Sequence, residues 1–450
     1  MSFRGKLWIM LVSGSIALYT LIGGMPFVGD ALNAQAQQPI NDAGAQIRIF
    51  ESVLQHIQND YVDEPNLEKV RLGALRGLAG GLDPYSSFLT ADQVKEYQAG
   101  KSNSKVGIGA EFSQVSAYLY VISVIKDGPA AKAGLKSGDV VEYIDNKASR
   151  DISLYDARQL IQGDAGTSVK LRVLRSGEKP QVLTITRGTY KVPVAESTVE
   201  ANKTGVIKIN SLEDGEANDI RTQVQNLTKQ GVQKIVLDLR GVAGGSLPEA
   251  VTVANLFIKD GDLAKVIGRD NKVIKTYTAD PSKAIFDGKA AVLIDLGTAG
   301  AGEVVASAFL DRKRGDVVGE RSFGAGTEQQ LFTLRGGDGL LLTTAKWASA
   351  SGQPFLGDDR ANTGVKPSVE VKRPDTPEPI EVDELIDQNN DQNAEPQPNA
   401  TPAPKAEPKR AAPEDIQLKK AIEILQDKAT AAAHLFHRNC LSRHRREAGT

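Results

Sequence analysis

Lys234-Ile235-Val236-Leu237-Asp238-Leu239 is an apolar run of strand length, closed by Arg240-Gly241. A strand with one wet face alternates apolar and polar residues, whereas a run like this is dry on both faces, the pattern of a central strand in an α/β layer. Its neighbours agree. Gly205-Val206-Ile207-Lys208-Ile209 reads as a strand, Glu213 to Gln230 as a helix and Pro248 to Ile258 as another. Ala290-Ala291-Val292-Leu293-Ile294-Asp295 then leads into a helix from Gly302 to Leu310. The succession is ββα or βαβ, which predicts an α/β core over residues 201–372.

Upstream, residues 104–187 read mainly as strands. In order come Gly107-Ile108-Gly109-Ala110-Glu111-Phe112, the alternating Tyr118-Leu119-Tyr120-Val121-Ile122, and Gly128-Pro129-Ala130-Ala131-Lys132-Ala133-Gly134-Leu135. Gly138-Asp139-Val140-Val141, a helix from about Ser153 to Ile161 and a charged hairpin at Arg175-Ser176-Gly177-Glu178 follow. That order resembles a PDZ domain. The resemblance implies an open sheet edge that accepts an extended peptide as an extra strand. Val106, Gly107, Ile108 and Gly109 would form the cradle for its terminal carboxylate.

Ahead of this lies a helical module over 42–99. Ile47, Phe50, Leu54, Ile57 and Tyr61 recur at spacings of three and four, as do Leu67, Val70, Ala74 and Leu78 before Gly80-Gly81. Further upstream, Arg4 and Lys6 precede a charge-free run over 7–29, and Ala34-Gln35-Ala36 fits a small-x-small cleavage site. The run suits a cleaved secretory signal (1–36) and a single inner-membrane anchor equally, so the chain is expected in the periplasm or elsewhere outside the cytoplasm. Residues 373–412 carry many Pro, Asn, Gln, Asp and Glu and are read as a disordered linker. A helix over 413–428, opened by Pro413-Glu414-Asp415, puts Leu418, Ile422 and Leu425 on one face, to dock back or to meet a partner. A basic tail over 429–450 ends the sequence, with a weak pull toward anionic membrane surfaces.

Composition narrows the chemistry. The 450 residues hold 54 Lys plus Arg against 56 Asp plus Glu, so no global positive charge exists to hold nucleic acid. A single cysteine, Cys440, rules out a disulfide framework. Of four histidines, His56 lies in the helical module and His434, His437 and His444 in the tail, so no histidine base is available in the core. His434, His437, Cys440 and His444 share a helix face in a metal-ligand spacing, but no carboxylate supports them, and neither a metal nor any cofactor is expected.

From about residue 45 to 428 the chain resembles the carboxyl-terminal processing proteases, S41-type serine peptidases with a PDZ domain. Leu82-Asp83-Pro84-Tyr85-Ser86 is similar to the family's Leu-Asp-Pro-His-Ser, and Leu237 to Gly241 with Gly244-Gly245 to its Asp-Leu-Arg-x-Asn-x-Gly-Gly segment. Val318-Gly319-Glu320-Arg321-Ser322-Phe323-Gly324 and Gly364-Val365-Lys366-Pro367 complete the set. The resemblance implies a serine nucleophile at the start of a helix and a lysine base 25 residues later. Here those positions read Gly300, in Gly297-Thr298-Ala299-Gly300-Ala301-Gly302-Glu303, and Ala325, in Phe323-Gly324-Ala325-Gly326. Glycine has no atom to attack a carbonyl and alanine none to take a proton. Gln329, which would orient the lysine, and Glu303 are retained, and the oxyanion hole would come from Gly244 and Gly245, although Val242 and Ala243 stand where Asn and Pro are usual.

The expectation is a multidomain α/β protein: an N-terminal helical module, a PDZ domain, a ββα-type serine-peptidase-like core, a disordered linker and a C-terminal helix. No catalytic pair is intact, and its partners are protein or peptide C-termini, alone, as a homo-oligomer or beside an active relative. Two rivals stand: a working endopeptidase with Ser307 or Ser322 as relocated nucleophile, and a structural or regulatory subunit of an active relative.

Overall fold

The computed structural model describes residues 42–100, 106–176, 178–357, 362–373 and 414–426. The expected signal or anchor, nearly all of the linker and the whole tail with its His/Cys group lie outside the described residues. No described helix is long and apolar enough to cross a membrane. The chain divides into two compact units, 1–74 and 75–450. In the first, the helix Ala43–Asp60 is capped by the Asp42 side chain and buries none of its residues; Ile47, Phe50 and Leu54 stay exposed.

The core is a six-stranded sheet in the order Glu196–Glu200, Thr204–Lys208, Lys234–Asp238, Lys289–Ile294, Gly315–Gly319, Val369–Glu370. The first pair is antiparallel and the rest parallel. Alternation explains the dry central strand. Ile235 and Leu237 point to a cluster built with the helices Glu216–Lys229, Leu247–Asn255 and Ala301–Asp311. Val236, Ala291, Leu293 and Val318 point the other way, onto Ala421 and Leu425 of the helix 416–426. That helix therefore docks back on its own sheet. Arg240 holds it there, its guanidinium bonded to Asp415 (2.7 Å) and Gln417 (3.1 Å) and, on the same side chain, to Asp238 (2.8 Å).

A second, antiparallel sheet goes beyond the expected βα succession. Gly339–Ser349 is its spine, paired with Ser87–Leu89, Asp262–Ile267 and Thr327–Thr333, and Val273–Thr278 lies outside Asp262–Ile267. These strands mix charged and apolar residues on half-exposed faces, so their period is blurred.

The region expected as a PDZ domain has the strand order Ala110–Val115, Tyr118–Val124, Val140–Ile144, Ser168–Leu174, Gln181–Thr186, with the helix Leu154–Ile161 against it. Ser168–Leu174 and Gln181–Thr186 form the expected charged hairpin. The Gly-Pro-Ala-Ala and Gly-Asp signatures have separate jobs. Ala130 donates its N–H to the carbonyl of Ile108, tying that turn to the Val106–Gly109 loop (2.8 Å). Asp139 takes a two-pronged grip from Arg175 of the hairpin (2.7 and 2.8 Å).

Candidate functional site

The strand Lys289–Ile294 runs into a tight turn before the helix Ala301–Asp311. Asp295 folds it by accepting the N–H groups of Gly297 (3.0 Å) and Gly241 (2.9 Å). Thr298 donates its hydroxyl to Leu239 O, and Ala299 its N–H to Val242 O, both at 2.9 Å. The Leu237–Gly245 segment and the Gly297–Glu303 segment are thus stitched side by side. At the end of the turn Gly300 has φ +52° and ψ −104°, a conformation that residues with a side chain hold only under strain. A Cβ there would find Trp347 Cζ3 at 3.6 Å, an ordinary contact, so the site has room for a small side chain.

Glu303, fully buried, gathers the site around itself. One carboxylate oxygen accepts the N–H groups of Gly300 (2.7 Å) and Ala325 (2.8 Å); the other accepts the Gly324 N–H (2.8 Å) and the Ser322 hydroxyl. Because Gly300 and Ala325 share one oxygen, their nitrogens are no further apart than those two bonds laid end to end. Positions separated by 25 residues in sequence therefore meet. Burial pushes the Glu303 pKa up to about 7, against four hydrogen bonds that pull it down.

Gln329 donates to Thr327 Oγ1 (2.6 Å) and Thr343 Oγ1 (3.3 Å). Thr343 in turn donates its hydroxyl to Asp83 (3.0 Å) and its N–H to Ser86 Oγ (3.1 Å). Asp83 folds its own turn by accepting the N–H groups of Tyr85 and Ser86. The Leu82–Ser86 segment thereby buttresses the residue that would orient a base.

Gly245, at φ +133°, lies against Leu212, whose carbonyl oxygen would stand 2.5 Å from an added Cβ; only glycine fits. Among the described residues no acceptor takes the N–H of Gly244, Gly245 or Ala301. Ser307 bonds Val304 O (3.2 Å) one turn back on its own helix. Ser322 is fully buried, donating to Glu303 and accepting the Val365 N–H (2.6 Å). Both hydroxyls are committed to structural bonds, and among the described residues neither is bonded to a lysine.

The outer face of a PDZ strand covers the same place. Tyr118, Tyr120 and Ile122 cluster with Ala299 and Phe323, Ala325 and Ala243 pack against them, and the Tyr120 and Phe323 rings stack at 5.6 Å. In the loop expected to cradle a carboxylate, Val106 and Gly107 pair with Thr189 and Gly188, Ile108 is buried, and Gly109 takes φ +74° beside the Tyr190 ring.

Residues 203–371 match Peptidase family S41, and 120–175 match a PDZ domain. The carboxy-terminal processing protease CtpA of Bacillus subtilis is 32% identical over 322 residues, 71% of this chain and 68% of that protein. This chain belongs to the CtpA-like S41 peptidase family. A probable CtpA-like serine protease of Staphylococcus haemolyticus is 34% identical over 336 residues, covering 74% of this chain and 66% of that protein. These S41 relatives are thus matched over about two thirds of their length. Among solved structures, a photosystem II D1 C-terminal processing protease aligns with a TM-score of 0.61 at 27% identity, over 72% of this chain and 86% of that one.

Within this S41 frame, the expected site positions fall into two places. Gly300, Ala325 and Glu303 come together in one; Val106 to Gly109 form part of the PDZ loop in the other. Three features escaped the sequence reading. Glu303 was legible as a retained residue but not as the hub, because three of its four donors are backbone N–H groups. Thr327 and Thr343 carry no motif signal. The packing of Tyr118 and Tyr120 on the site had a signal in their alternation, which marks a second apolar face on that strand.

Proposed function

We propose that this chain is an exported or membrane-anchored S41 family member that binds the C-terminal tails of other proteins through its PDZ domain and does not cut them. One observation carries the reading: the positions that would hold nucleophile and base are occupied by Gly300 and Ala325, while Glu303, Gln329 and the turn around Asp295 keep the site assembled. Loss of a nucleophile in a serine protease costs roughly a millionfold in turnover, so binding is what such a site retains. The bonding of Ser307 and Ser322 supports the same reading, since Ser307 is tied to a backbone carbonyl and Ser322, buried between Glu303 and the Val365 N–H, is bonded to no lysine among the described residues.

The test has two arms. Incubated with an unstructured protein having an apolar C-terminus, the purified protein leaves it intact by mass, and a fluorophosphonate probe labels no serine. In a titration, a peptide with a free C-terminal carboxylate binds and its amidated form does not. Cleavage that vanishes in Ser322→Ala or Ser307→Ala would overturn the inactive reading.

A further inference from the structure

The PDZ groove runs between the strand Ala110–Val115, the open edge of its sheet, and the helix Leu154–Ile161. Gly109 O accepts from Ile125 N, just past the next strand, so by alternation the backbone groups of Ala110 face the groove, and the bond from Arg158 of the helix places Phe112 O there too. Past that point one side chain crosses the groove and a second reaches its edge strand from outside. Arg158, on the helix, donates to Phe112 O (3.0 Å), which takes the acceptor that the third residue of a bound tail would otherwise use. Tyr85, from outside the domain, packs against the PDZ core, and its hydroxyl accepts from Ser113 Oγ (3.2 Å). Beyond them Gln114 bridges to Ile152 O (2.8 Å). The Tyr85 backbone is fixed by Asp83 (2.8 Å) and through Asp83 to Thr343, so the ring is held from behind.

We propose that Tyr85 and Arg158 form an end wall, so that the groove reads only about the last three residues of a captured tail and the chain beyond turns away into solvent. The inference rests on the tail-binding reading above. Strand addition from the cradle to the Phe112 N–H spans Ala110–Phe112, about three residues of pairing. Tyr85 is thereby a specificity-determining residue: it makes selection depend on the extreme terminus and not on the sequence upstream.

The experiment uses the full-length protein and fluorescent peptides of four and eight residues that share one apolar C-terminus. The unsubstituted protein binds both within about twofold. Tyr85→Ala keeps the four-residue affinity within about twofold and tightens the eight-residue peptide about tenfold, the effect of roughly one added pair of backbone hydrogen bonds, whereas Arg158→Gln, which frees Phe112 O for the third residue of either peptide, tightens both. Tyr85→Phe keeps the ring and retains the length independence, which separates the wall from a fold defect. An unsubstituted protein that already binds eight residues tenfold tighter than four, or a Tyr85→Ala variant that leaves the ratio unchanged, overturns the wall. Absence of binding by either peptide to every variant, or equal binding of amidated peptides, sinks the tail-binding reading itself.

Discussion

Putting serine at 300 and lysine at 325 tests whether the site lacks only its reactive groups. At Gly300 the cost is conformational: a side chain at φ +52°, ψ −104° carries about 1–3 kcal/mol of strain, and the 3.6 Å gap to Trp347 adds no clash. Gly300→Ser alone is therefore expected to lower Tm by roughly 2–12 °C, at about 2–4 °C per kcal/mol for a domain of this size. At Ala325 the new amine would stand beside Tyr118, Tyr120 and Phe323, where desolvation lowers a lysine pKa toward neutrality, with Gln329 four residues on. The pair acts as a unit, so each single variant stays inactive. The double variant should raise cleavage of an unstructured protein at least about a thousandfold, within the roughly millionfold that such a pair commands, and should take up a fluorophosphonate. A folded double variant that neither cleaves nor labels would refute the reasoning, pointing to Val242-Ala243 as a second lesion. An unchanged Tm in Gly300→Ser would refute the strain argument.

Other outcomes follow from the same geometry. Glu303 binds its proton more tightly folded than unfolded, so its contribution is fully present below about 4.5 and is lost as pH rises through about 7; denaturation of the unsubstituted protein should show a decline of about 3 kcal/mol across that window that Glu303→Gln lacks. A pH-independent difference between the two proteins would count against the raised pKa. Glu303→Ala leaves four buried donors unmet and should cost about 3–5 kcal/mol in chemical denaturation; a loss under 1 would mean that water replaces the carboxylate. Arg240→Ala should release the helix 416–426, seen as early proteolysis near Asp415 with the core still folded; unchanged protection would show that Ala421 and Leu425 suffice. Gly109→Val, strained at φ +74° and pressed on Tyr190, should weaken tail binding about tenfold; an unchanged titration would remove Gly109 from the cradle.

How much was visible in advance depended on whether a signal was local. The apolar Ile235-Val236-Leu237 run announced a strand covered on both faces, and both covers are there, helices on one side and 416–426 on the other. The spacing between Gly300 and Ala325 could be counted, and the structure joins them through Glu303. The antiparallel sheet along Gly339–Ser349 stayed hidden because Leu340-Leu341-Leu342-Thr343-Thr344 does not alternate cleanly, and its edge partners Ser87–Leu89 and Thr327–Thr333 come from distant parts of the sequence. Links such as Thr343 to Asp83, or Arg240 to Asp415, join residues far apart in sequence, where no periodicity can register them.

The way the parallel sheet is covered also bears on how the protein is made. Val236, Leu293 and Val318 lie under a helix that leaves the ribosome only after residues 374–413 have emerged, so this face of a finished sheet waits, greasy and wet, while the intervening chain is synthesised at some 5–20 residues per second. A nascent chain in that interval is a natural client for a chaperone, and a message cut short before Asp415 would yield a product that sticks to itself.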